Sequence, residues 1–177
     1  MNMRSFLSLL LMIGILVGGV AFREQSPRAD GRPAPLNSSD VAVHGTGWVP
    51  QSRAGFSVWR PYGWGTATKS KAVANRWVHI PLVYPTYLVD IGQKLYYVEF
   101  CAQSTNGART KPIQMDVWGG TTRIYTGAVV WPADNDSHCV GQSFSTWYED
   151  VGLSVLLKFG NTADTITLYK AWVNVGP

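Results

Sequence analysis

The sequence predicts an antiparallel β-sandwich of the jelly-roll kind. Three observations lead there. Strand-forming runs rich in β-branched and aromatic residues recur along residues 41–175, separated by Gly, Pro and Asn turn signals. No window beyond the N-terminal apolar run sustains the 3.6-residue apolar period of a helix. Aromatic residues make up 12% and charged residues only 15% of the 177-residue chain, with eight Trp and eight Tyr. That composition suits a core filled between sheets and excludes a disordered chain. The length suits one folded domain.

The N-terminus reads as a targeting segment. Arg4 precedes an apolar run over residues 6–22, which Arg23 and Glu24 close. This is the pattern of a secretory signal peptide over residues 1–21, with Gly19 and Ala21 as the small residues before the cut. The rival is an uncleaved anchor, since a span needs about 17–25 apolar residues. Either reading sends the folded part to the cell envelope or the outside. Contact with a membrane is expected only through this segment, if it is retained. Residues 22–40 hold three prolines and many small polar residues, the composition of a flexible linker. The folded domain is expected over residues 41–177.

Residues 41–49 alternate, with Val41 and Val43 on one side. Residues 55–60 place Phe56, Val58 and Arg60 opposite Ser57 and Trp59. A Gly- and ring-rich turn follows at 61–66. Residues 66–75 are polar, carry Lys69 and Lys71, and read as an exposed loop. Residues 76–83 form the next strand, with Trp77 and His79 opposite Val78, Ile80 and Leu82. Pro81 and Pro85 limit ladder bonding and point to an edge position or an early end of the strand. Residues 84–94 connect to a strong strand over 95–102. There Tyr96, Val98, Phe100 and Ala102 are expected inward and Glu99 outward.

Asn106-Gly107 is the dipeptide of a tight reversal, so residues 103–112 read as a hairpin connection. Residues 113–118 point Ile113, Met115 and Val117 inward. Gly119-Gly120 turns the chain into 121–126, which 127–131 could extend. A polar loop at 132–137 leads to a strand at 138–144. The last stretch, residues 152–175, reads as a hairpin: two β-rich runs about a five-residue loop of turn formers. Leu153, Val155, Leu157 and Phe159 share one face of the first run. Ile166 and Leu168 are expected to share a face with Trp172 in the second. The count is eight to nine strands.

Cys101 and Cys139 are the two cysteines. Export implies an oxidising compartment, and two thiols with none left over suggest one disulfide. It would close a loop of about 37 residues. The alternative is two separate buried thiols. No second Cys or His sits at ligand spacing, so no metal is expected. Asp134, Asn135 and Asp136 alternate oxygen ligands, but they lack the rest of a calcium loop and read as a polar turn. The formal charge is +4. With no Lys/Arg cluster of the kind that tracks phosphates, nucleic acid is not an expected partner. No cofactor is expected.

Several motifs occur together in order. Val43-His44-Gly45, Gly63-Trp64-Gly65-Thr66 and Trp77-Val78-His79-Ile80-Pro81 come first. Val117-Trp118-Gly119, Arg123-Ile124, Gly152-Leu153-Ser154-Val155, Phe159-Gly160 and Ile166-Thr167-Leu168 follow. The set resembles a family of small bacterial β-sandwich proteins of unknown function. The resemblance implies an all-β fold over about residues 41–175 and a bacterial source. It carries no activity and no site.

Catalysis finds little support in the residues. No Gly-x-Ser-x-Gly elbow is present. Glycoside hydrolysis needs two carboxylates across a cleft, and Glu99 and Asp116 read as members of a solvated sheet face. The aromatic stretch is the suggestive feature. Trp59, Tyr62, Trp64 and Trp77 lie close together, with Arg60 and His79 among them. Such rings stack on sugars or anchor a protein partner; otherwise they fill the core. The expectation is a non-catalytic module that binds a glycan or a protein through Trp59, Arg60, Tyr62, Trp64 and His79. A structural envelope protein is the alternative, and a hydrolase the third reading.

Overall fold

The computed structural model describes residues 39–82, 94–147 and 150–176. The expected leader and the 84–94 connection fall outside that range, apart from Lys94. So does the expected linker, except for Ser39 and Asp40, which begin the first strand. Among the described residues no helix is long and apolar enough to cross a membrane.

The described residues form eleven strands: β1 (Ser39–Val43), β2 (Val49–Pro50), β3 (Phe56–Tyr62), β4 (Gly65–Ser70), β5 (Ala74–Pro81), β6 (Lys94–Ser104), β7 (Lys111–Gly119), β8 (Thr122–Ala128), β9 (Ser137–Trp147), β10 (Val151–Phe159) and β11 (Ile166–Gly176). Single 3₁₀ turns at Gly45–Gly47 and Arg53–Gly55 separate the first three. Two sheets result, and every pairing is antiparallel. One runs β3-β4-β11-β6-β9, with β1 paired to the second half of β11; the other runs β2-β5-β10-β7-β8. The antiparallel sandwich expected from the sequence is the observed fold.

The apolar faces of the two sheets meet in one core. Val98, Phe100, Leu168 and Val173 come from the first sheet, and Val78, Val117, Val155 and Leu157 from the second; all are fully buried. Phe56 of β3 meets Phe159 of β10 edge to face across the interior, ring centres 6.1 Å apart. Each such side chain contributes roughly 1.5–3 kcal/mol by leaving water.

Period-two patterning located the faces but not the partners. The expected C-terminal hairpin is absent: β10 lies in the five-stranded sheet and β11 in the six-stranded one. Both runs are apolar on one face, and two such faces satisfy each other better across the core than side by side. The Asn106-Gly107 connection is likewise a crossover between sheets, since β6 and β7 do not pair. Asn106 O accepts from the amides of Arg109 and Thr110 instead.

Three further expectations are corrected. The polar stretch expected as an exposed loop contains β4, where Thr66, Thr68 and Ser70 are fully buried. Their hydroxyls are satisfied locally: Thr66 Oγ1 donates to Gly45 O at 2.8 Å and Thr68 Oγ1 to Ile166 O at 2.9 Å. A bulge in β11 between Leu168 and Ala171 turns Ala171 and Val173 inward and Trp172 outward. A bulge between Leu95 and Tyr97 does the same in β6, so Leu95 rather than Tyr96 enters the core. Neither bulge carries a Gly or Pro that would announce it.

The expected disulfide joins Cys101 to Cys139, directly opposed on β6 and β9. It ties the edge strand β9 to the interior of its sheet.

Candidate functional site

The outward face of the six-stranded sheet carries a row of rings. The β3–β4 turn puts Tyr62 and Trp64 against each other, centres 4.8 Å apart and planes within 3°. Trp64 is 55% exposed. Tyr169 of β11 continues the row, 6.1 Å from Trp64. Further along the same face Trp172 and Tyr97 lie 5.2 Å apart.

Polar side chains hold these rings in place. Tyr169 donates to Gln103 Oε1 at 2.6 Å. Burial pushes the Tyr169 phenol pKa up, which keeps that proton on the donor. Trp172 Nε1 donates to Glu99 Oε1 at 2.5 Å, and Tyr97 Oη reaches Glu99 Oε2 at 3.4 Å. Arg60 Nη1 lies 3.5 Å from Tyr62 Oη. Gly141, beside Glu99 in register, leaves the space that the Tyr97 ring occupies. Gln103 and Glu99 are four positions apart on β6, about 13 Å along an extended strand.

Of the five residues expected to form a site, the structure brings together Arg60, Tyr62 and Trp64. Trp59 is on the other side of β3. It sits in register with Thr68, packs on Phe56 at 5.1 Å and joins the core. Alternation along the strand requires this, because Arg60 and Tyr62 face outward. His79 is in the other sheet altogether, on β5. Tyr97, Glu99, Gln103, Tyr169 and Trp172 were not foreseen as members of the ring face. The alternation Tyr97, Glu99, Cys101, Gln103 was legible, but its adjacency to Tyr169 and Trp172 depends on the β6–β11 register.

The carboxylates expected on a solvated face divide. Glu99 is outward on the six-stranded sheet; Asp116 is outward on the five-stranded sheet yet 2% exposed. They lie on opposite sheets and do not face each other across one cleft, the arrangement glycoside hydrolysis would need. His79 Nδ1 is 2.8 Å from Ser154 Oγ. Burial holds the imidazole pKa below its usual value. Asp116 neighbours Ser154 in register, not His79, so among the described residues no acid is hydrogen-bonded to this histidine as a triad requires.

In the 132–137 loop, Asp134 Oδ1 accepts from the Asp136 amide at 3.1 Å and contacts His138 Nε2 at 2.6 Å. The group is a polar turn, and the His138 contact holds the Asp134 carboxyl below the usual range. Glu99 lies near the two cysteine sulfurs, but those sulfurs are bonded to each other and are not thiolate ligands.

No protein-family model matches the chain, and no curated protein sequence matches it. Among solved structures, a family 29 carbohydrate-binding module is similar, with a TM-score of 0.50, 9% identity, and coverage of 78% of this chain and 90% of that one. The C-terminal family 6 module of LamC, a marine laminarinase from Zobellia galactanivorans, gives a TM-score of 0.47 at 11% identity and covers 78% of this chain and 100% of that one. The first of these likenesses is one of fold: both chains are β-sandwiches.

Proposed function

We propose that this protein is a non-catalytic, extracytoplasmic module that binds a glycan on the outward face of its six-stranded sheet. The observation that carries the reading is the exposed, near-parallel Tyr62–Trp64 stack, continued by Tyr169 towards Trp172 and Tyr97. Ring faces and edges of this kind cover the apolar faces of sugars. Glu99, Gln103 and Arg60 supply acceptors and donors for hydroxyls.

The roughly 13 Å between Gln103 and Glu99 fits an oligosaccharide lying along the face rather than one terminal sugar. Tyr169, Trp172 and Tyr97 are already held by side-chain hydrogen bonds and Trp64 by stacking on Tyr62, so little side-chain freedom is lost on binding. The fold shared with a carbohydrate-binding module and the disulfide, which suits an oxidising compartment, agree with the reading.

The test is titration with soluble glycans followed by Trp fluorescence. Trp64→Ala and Tyr169→Phe should weaken binding while the fold persists. Unchanged affinity in both variants would remove this face as the site.

A further inference from the structure

The row of rings on the six-stranded sheet does not end at Tyr97. On β9, Thr146 pairs with Leu95, which is fully buried in the core. Trp147, next in the chain, therefore points to the other side, the side of Tyr97 and Glu99. Its register partner on β6 is Lys94. Lys94 Nζ lies over the Trp147 ring, 5.3 Å from its centre, within reach of a cation–π contact. The ring is still 52% exposed, close to the 55% of Trp64 at the other end of the row.

The register lays these rings on a diagonal. Tyr62 pairs with Gly65, and the adjacent Thr66 pairs with Leu168, so the Tyr62–Trp64 stack begins level with Tyr169. Trp172 lies further along β11, and Tyr97 stands opposite Asn174 beyond it. Lys94 and Trp147 stand level with Gly176, further still. Each step moves along the strands and also across them, from the edge strand β3 to the opposite edge strand β9. Trp172 and Trp147 are separated by about 13 Å along the strands and about 10 Å across them. The whole row is on the order of 25–30 Å long.

A lone exposed ring needs no explanation. Here the two most exposed rings of the face stand at the two ends of one line, with half-buried rings between them. Charge does not choose the ligand. Arg60, Lys69 and Lys94 face outward together with Glu99 and Asp40, and Lys170 stands in the β11 bulge. What chooses it is reach. Each end of the row lies on an edge strand, so the sheet raises no wall across the path.

We infer that the glycan-binding face extends across the whole sheet to Trp147, and that its ligand is the interior of a long, extended polysaccharide chain. The inference rests on the glycan reading of the Tyr62–Trp64 end. Trp147 covers an apolar sugar face at the far end, and the Lys94 ammonium beside it donates to hydroxyls. A chain longer than the row runs on past both edges.

The test starts with affinity electrophoresis of the full chain in gels holding hydroxyethyl cellulose, xylan, glucomannan, laminarin or alginate. The tri- and hexasaccharides of a polysaccharide that retards it are then titrated by calorimetry. A trisaccharide covers part of the row and a hexasaccharide spans it. The wild type should bind the hexasaccharide about tenfold or more tightly than the trisaccharide. Trp147→Ala should remove about tenfold of the hexasaccharide affinity, as for an aromatic contact residue, and leave the trisaccharide unchanged. Trp147→Leu keeps apolar bulk on the edge strand but no flat ring, and serves if the alanine variant fails to fold.

Equal affinity for the two lengths in the wild type would overturn the inference. So would a hexasaccharide affinity that neither Trp147 variant lowers. If Trp64→Ala weakens binding in that case, the Tyr62–Trp64 end remains a glycan site and only its extension to Trp147 falls. A wild type that no polysaccharide retards removes the glycan reading and the inference with it.

Discussion

Arg109 grips Asp164 through two hydrogen bonds, Nε to Oδ2 at 2.9 Å and Nη2 to Oδ1 at 3.0 Å. Thr110 Oγ1 adds a third, to Oδ2 at 2.5 Å, and accepts the Gly160 amide. The crossover from β6 to β7 is thereby fastened to the crossover from β10 to β11. These two loops carry the chain between sheets, so their joint fixes how the sheets close at one end. Asp164→Ala would leave the fully buried Thr110 hydroxyl without this acceptor and should cost about 1–3 kcal/mol, measured by denaturant unfolding.

The same joint gives a pH dependence. The Arg109 hydrogen bond holds the Asp164 carboxyl below the usual range. Its contribution to stability is therefore full above the unfolded aspartate value of about 3.9 and is lost as pH falls through the lower folded value. Asp164→Asn should flatten the acid limb of the stability curve in that window. An unchanged limb would show that the carboxylate is not charged against Arg109.

His79 acts at higher pH. Its folded pKa is lowered by burial, so below the ordinary value of about 6.5 the unfolded chain takes up a proton that the folded chain resists. Stability should fall through that window, and His79→Gln should remove this part of the fall. Chemical-denaturation midpoints at pH 7.5, 6.5 and 5.5 give the comparison.

Trp59 and Trp64 are five residues apart and should behave oppositely. Trp59 packs on Phe56 and the core, so Trp59→Ala should destabilise by about 2–4 kcal/mol, somewhat under the full cost for a buried Trp. Trp64 is largely exposed, and Trp64→Ala should stay within about 0.5 kcal/mol while affecting glycan affinity. Thermal unfolding of both variants decides whether the two faces of β3 are correctly assigned.

Gly45 is a point of close approach. A Cβ there would lie within contact distance of the Tyr169 and Leu168 carbonyl oxygens and of Gly65 Cα. All three are backbone and cannot step aside cheaply. Gly45→Ala should cost about 1–3 kcal/mol by overpacking and should disturb Tyr169 in the ring row. Unfolding and glycan titration of the one variant read both effects.

Reduction, or the Cys101→Ser/Cys139→Ser pair, should lower stability by about 2–4 kcal/mol with the fold retained. Unfolding curves with and without reductant test it.

Alternation along single strands carried a good deal of this protein. It placed Val98 and Phe100 inside, Glu99 outside, and Leu153, Val155, Leu157 and Phe159 on one buried face. The two cysteines, with no third, were enough to expect their bond. These properties follow from local geometry, because successive side chains of a strand point to opposite sides whatever lies next to it.

Tertiary structure decided which runs became neighbours. It parted β10 from β11, sent His79 and Trp59 away from Tyr62 and Trp64, and brought Tyr169, Gln103, Trp172 and Glu99 into one row. It also buried Asp116 on a face where the chain alone suggested solvent. Sheet membership and register depend on contacts between residues far apart in the chain, and a single bulge in β11 reverses the direction of every side chain beyond it.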